Sequence, residues 1–128
     1  MIYVETSVVL AQLLAEDRCP PDSLWTASLV SSRLTAYEVW TRINARGLGA
    51  SHGELVRQIL GRLSWLELTP IVLARALEPW PAAVRTLDAL HLAALEFLRK
   101  RQQDVTLATY DVRLRTAADR LGIGLFPL

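Results

Sequence analysis

The stretch Met1-Ile2-Tyr3-Val4-Glu5-Thr6-Ser7 restricts this chain more than any other. Ile2, Tyr3 and Val4 are apolar and strand-favouring at successive positions, so both faces of the strand they form have to be covered. An acid and two hydroxyl residues follow at once, and then a helical run, Val8 to Ala15, in which Gln12 is the only polar side chain. A buried strand that turns directly into a helix opens a β-α unit, and open α/β sheets bind their ligands where strands end. Glu5 stands at such a point.

The rest of the chain repeats this alternation. Leu29-Val30-Ser31 reads as a second strand, Trp65-Leu66-Glu67-Leu68 as a third, Val105-Thr106-Leu107-Ala108 as a fourth and Leu125-Phe126 as a last edge strand. Between them, Asp22 and Ser23 can cap a short helix through about Ala27. Thr35-Ala36-Tyr37-Glu38 and Ser51-His52-Gly53-Glu54 each spell a capping box, for helices reaching about Ala45 and Leu63, with Gly47-Leu48-Gly49-Ala50 as the break. Thr69-Pro70 starts a helix with proline in its first position, and the longest helical pattern runs from Ala82 to about Arg99. Thr109-Tyr110-Asp111 is a turn, followed by a helix from Val112 to Leu121 that Gly122 ends. The expected fold is α/β: a three-layer α/β/α sandwich with four or five parallel strands. Right-handed crossovers put the first strand in the middle, giving the order 3-2-1-4-5.

With 128 residues, 52% of them hydrophobic, the chain makes one domain, residues 1–128, with one well-filled interior. A net charge of +1 gives no general attraction to nucleic acid, although Lys100 is the only lysine among 14 basic residues and arginine suits bidentate phosphate contacts. The single cysteine, Cys19, excludes an internal disulfide and a cysteine-based metal cage. No targeting segment or membrane-length apolar run is found, so the expected location is cytoplasmic, without a membrane partner.

Four acids fall at strand ends or helix starts: Glu5, Glu38, Asp88 and Asp111. Each has an ordinary reading, because a helix N-terminus stabilises an acid by roughly 0.3 to 1 kcal/mol. Glu38 reads as the third residue of a capping box and Asp111 as an N-cap. Asp88, set among Leu87, Ala89, Leu90 and Leu92, must be paired, capping or metal-bound, and Arg85 is an available partner. Acids that share a crevice repel one another, and a divalent cation removes that repulsion. His91, three residues after Asp88, could act as base or ligand but reads first as a core histidine. Arg42 and Arg46 share a helix face with Glu38, as ion pairs or as phosphate contacts, and Arg113 and Arg115 carry the same ambiguity. At least three of the four tryptophans read as core or interface.

Taken together, Ile2-Tyr3-Val4-Glu5-Thr6-Ser7, Ser32-Arg33-Leu34-Thr35-Ala36-Tyr37-Glu38-Val39, Thr86-Leu87-Asp88-Ala89-Leu90-His91-Leu92-Ala93, Thr109-Tyr110-Asp111-Val112-Arg113-Leu114 and Ala117-Ala118-Asp119-Arg120-Leu121-Gly122-Ile123 resemble the PIN-domain family. The resemblance covers nearly the whole chain and is to the VapC-type toxins of toxin-antitoxin pairs. It implies a PIN-like α/β/α fold and a metal-dependent endoribonuclease that cuts single-stranded regions of RNA with Mg²⁺, or Mn²⁺. On that resemblance Glu5, Asp88 and Asp111 are metal ligands, Glu38 is a ligand or positions the nucleophile, and Thr6, Ser7 and Thr109 arrange the site. Arg42, Arg46 and Arg113 are the candidate RNA contacts beside such a site. A homodimer and a small antitoxin, whose tail blocks the acidic pocket, are the implied partners. Glu5 departs from the family's aspartate by one methylene. The competing expectations are a catalytically silent PIN-like binding module and a phosphoacceptor receiver-like domain; the latter needs a strand-end lysine that this chain lacks.

Overall fold

The computed structural model describes residues 1–101 and 104–128. Five parallel strands form one sheet: β1 (Ile2–Val4), β2 (Leu29–Ser32), β3 (Ser64–Leu66), β4 (Thr106–Ala108) and β5 (Gly124–Leu125), in the order β3-β2-β1-β4-β5. The expected order holds, with β1 in the centre: Ile2 pairs with Leu29 on one side and Thr106 on the other. Among the described residues, six α-helices cover the sheet: α1 (Thr6–Leu13), α2 (Arg33–Ala45), α3 (Gly49–Leu60), α4 (Pro70–Ala76), α5 (Thr86–Arg99) and α6 (Val112–Arg120).

Alternation along β1 divides the interior into two cores. Ile2 and Val4 face Val8, Val9, Val39, Ile43 and Val56 from α1, α2 and α3. Tyr3 faces Leu92, Leu95 and Leu114 from α5 and α6, together with Val72 from α4. Two helices end as their glycines require. Gly47 and Gly122 have φ of +66° and +71°, and in each case the next amide, Leu48 or Ile123, bonds back to Ile43 O or Ala118 O in a Schellman turn.

Several helix starts differ from the sequence reading. α1 begins at Thr6, ahead of Val8, because the Glu5 side chain caps it by accepting from Ser7 N–H. α2 begins at Arg33, straight off β2, so Thr35 lies inside the helix and caps nothing; its hydroxyl meets that of Ser31 at 2.7 Å. The second capping box also fails, since α3 starts at Gly49 and Ser51 donates to Leu48 O. The segment Asp22–Thr26 is a 3₁₀ turn after Pro21, without a side-chain cap. α5 starts at Thr86, not Ala82, because Arg85 is extended and its N–H is taken by the Asp88 carboxylate. Thr69 does cap α4, with Pro70 in the first turn.

Candidate active site

The amide of Glu5 bonds to Ala108 O at 3.0 Å, so the ends of β1 and β4 are held side by side and their two turns form one surface. Glu5 is nearly buried there, at 7% exposure. Its Oε2 accepts from Ser7 N–H at 3.0 Å, from the Ser7 hydroxyl and from the Thr109 hydroxyl at 2.8 Å. The extra methylene suits this, because the carboxylate must reach both its own helix and the neighbouring strand. Thr109 in turn accepts from Asp111 N–H, and Ser7 from Tyr110 N–H. Asp111 caps α6: its Oδ1 accepts from Arg113 N–H at 2.9 Å and from Leu114 N–H at 3.1 Å. Ser7 and Thr109 thus hold the Glu5 carboxylate, and Thr109 also bonds the Asp111 backbone.

On the other side of β1, Thr6 donates to Glu38 Oε1 at 2.8 Å, across from α1 to α2. The same oxygen lies 2.6 Å from His91 Nε2, and His91 Nδ1 lies 2.9 Å from the Tyr3 hydroxyl. Glu38 is therefore not the acid of a capping box. The core reading of His91 is right about burial, at 3% exposure, but its partner is an acid of the candidate site. Burial by itself pushes the His91 pKa down. The Tyr3 hydroxyl, the hydrogen bond to Glu38 and the charges of Glu5 and Glu38 outweigh it and raise the imidazole from 6.5 to about 10. Both ring nitrogens then act as donors. Asp88, 9% exposed, accepts from Arg85 N–H through Oδ2 at 3.1 Å, which is the buried-cap reading, and no ion pair with the Arg85 side chain occurs among the described residues.

One pattern unites the four acids. The described hydrogen bonds of each go to a single oxygen: Oε2 of Glu5, Oε1 of Glu38, Oδ2 of Asp88 and Oδ1 of Asp111. Each is oriented through that oxygen, and no described bond reaches the other. All-oxygen donors of this kind suit a hard divalent cation such as Mg²⁺ or Mn²⁺. Among the described residues, no three His, Cys, Asp or Glu side chains form a group that could hold a metal ion.

Arg42, Arg46 and Arg113 are exposed, and none forms an ion pair with the described residues, so the ion-pair alternative for Arg42 and Arg46 is not realised. Arg113 and Arg120 line an open groove of about 510 Å³ between α6 and Ala82-Ala83. Arg115 instead donates to Thr109 O. All four tryptophans are half-buried against one core or the other. The i, i+3 spacing from Asp88 already raises His91 as a base or ligand beside the favoured core reading. Its bonds to Glu38 and Tyr3 are not foreseen by that spacing, because they join three elements distant in sequence.

The family model for the PIN domain matches residues 2–120. Ribonuclease VapC35 of Mycobacterium tuberculosis is 30% identical over 98% of this chain and 95% of its own length. Ribonuclease VapC47 from the same organism is 30% identical over 95% and 93%. Among solved structures, FitAcB from Neisseria gonorrhoeae superposes with a TM-score of 0.70 at 18% identity, covering 99% of this chain and 97% of that one. A toxin-antitoxin complex from Klebsiella pneumoniae gives 0.61 at 16% identity, covering 88% of each. These likenesses agree with the sheet order, and this chain belongs to the PIN domain family, among its VapC-type members.

Proposed function

We propose that this protein is a divalent-metal-dependent endoribonuclease, the toxin of a type II toxin-antitoxin pair, and that it cleaves single-stranded regions of RNA. The observation that supports this reading is Glu5, held where the ends of β1 and β4 meet by Ser7 and Thr109, with Asp111 and Glu38 each oriented through one oxygen by bonds from the neighbouring turns and helices. On this reading Glu5, Asp88 and Asp111 would hold Mg²⁺ or Mn²⁺. Bound there, the cation supplies a water of lowered pKa and neutralises charge on the phosphodiester. Glu38, through its unengaged Oε2, orients the attacking water and takes its proton. Ser7 and Thr109 keep Glu5 from swinging away, and Thr6 does the same for Glu38. Arg42, Arg46 and Arg113 contact phosphates on either side of the scissile bond, which their exposure and lack of described acidic partners favour.

A small antitoxin and a second copy of this chain complete the reading. The ribonuclease names of the relatives and the toxin-antitoxin complex among the structural neighbours support the first. An apolar surface on α4 and the start of α5, where Ile71, Leu77 and Leu87 are 68%, 89% and 46% exposed, supports a protein partner. No helix among the described residues is long and apolar enough to cross a membrane. The test is incubation of purified protein with single-stranded RNA: cleavage with Mn²⁺ or Mg²⁺, lost in EDTA and regained on adding metal. RNA binding without cleavage under any metal would make this a silent binding module.

A further inference from the structure

We propose that His91 is a positioning residue of this site, clamping the Glu38 carboxylate in the orientation that lets its free oxygen meet the attacking water. This rests on the ribonuclease reading. His91 is 3% exposed, and both of its ring nitrogens face side chains: Nε2 faces Glu38 Oε1 at 2.6 Å and Nδ1 faces the Tyr3 hydroxyl at 2.9 Å. Tyr3 is fully buried on the central strand, and its ring stands edge-on to the imidazole with centroids 6.0 Å apart. The clamp is thus anchored on the buried central strand.

Glu38 needs such an anchor. It lies on α2, only partly buried, and an unpaired glutamate side chain would keep its rotamer freedom. Thr6 from α1 and His91 from α5 both contact Oε1, so elements from the two helical layers converge on one oxygen. No described bond reaches Oε2, so the clamp fixes direction without blocking the reactive atom. Packing alone does not account for this arrangement, because an apolar side chain would fill the same space without a line of hydrogen bonds from β1 to a carboxylate. Removing the ring would strand the Tyr3 hydroxyl in the core and free Glu38 to turn toward solvent.

The experiment uses His91→Leu, His91→Gln and Tyr3→Phe. It measures kcat and KM on single-stranded RNA, Mn²⁺ binding to the protein alone by calorimetry, and the side-chain carboxyl ¹³C signal of Glu38 in metal-free protein. The expected result for His91→Leu is a fall in kcat of about tenfold or more, with KM and Mn²⁺ affinity changed by less than about threefold and a displaced Glu38 signal. His91→Gln, whose amide N–H can reach the same oxygen, should recover most of the loss, and Tyr3→Phe should fall between. Parental kcat and an undisplaced Glu38 signal in folded His91→Leu overturn the proposal. If His91→Leu does not fold, the same two readings in Tyr3→Phe overturn it, and displacement supports it. A parent that cuts no RNA defeats the ribonuclease reading, while the Glu38 signal still decides whether the clamp exists.

Discussion

His91 Nε2 lies 2.6 Å from Glu38 Oε1, joining helices α5 and α2 across 53 residues of sequence at the point where the candidate site meets the core. The contact gives the protein a pH dependence whose sign can be worked out. His91 has its pKa raised from 6.5 to about 10, so the folded protein keeps a proton that the unfolded chain releases. The stabilisation is complete below about pH 6.5 and disappears as pH rises toward 10. In EDTA, the melting temperature should fall across that window, and His91→Gln should flatten the fall. An equal slope in the variant would assign it to other groups.

Asp88 has two duties that one substitution separates. Asp88→Asn retains an oxygen to accept from Arg85 N–H, so the start of α5 survives and the melting temperature stays level or rises with one repelling charge gone. Cleavage should be abolished. Asp88→Ala loses the cap as well, at a cost of about 1 kcal/mol by denaturant unfolding. An Asn variant that cleaves normally would leave Asp88 as a cap alone.

For Glu5, charge should matter more than length. Glu5→Asp should keep cleavage within about tenfold, roughly 1.4 kcal/mol of barrier, because the negative charge remains although the reach to Thr109 is strained. Glu5→Gln should cost about a hundredfold or more. Mn²⁺ should support the parent at least as well as Mg²⁺, whose near-octahedral geometry tolerates an altered ligand less readily. Parental cleavage by Glu5→Gln would show that the site is assembled from Glu38, Asp88 and Asp111.

The exposed arginines make a prediction about salt. Arg42→Ala and Arg46→Ala should each weaken RNA binding, measured in EDTA, and lower the slope of log affinity against log salt by about 0.7. Stability should be unchanged, since neither side chain has an acidic partner among the described residues. An unaltered slope would remove them from the RNA path.

Local chemistry wrote much of this protein into its sequence. The apolar triplet Ile2-Tyr3-Val4 needs cover on both faces, Thr69-Pro70 and Asp111 carry their caps in their side chains, and Gly122 permits the left-handed turn that ends α6. The strand order 3-2-1-4-5, expected from these elements and right-handed crossovers, places β1 beside β4 and so brings Glu5 beside Thr109. Tertiary structure decided what short-range patterns misstate. Thr35-Ala36-Tyr37-Glu38 matches a capping box, but Ser32 passes straight from strand to helix, so the helix starts before the motif and frees Glu38 to turn inward. The bond from Glu38 to His91 and on to Tyr3 joins β1, α2 and α5, and no window along the chain contains all three. A buried polar side chain must find a partner, but which one it finds depends on how the helices pack against the sheet.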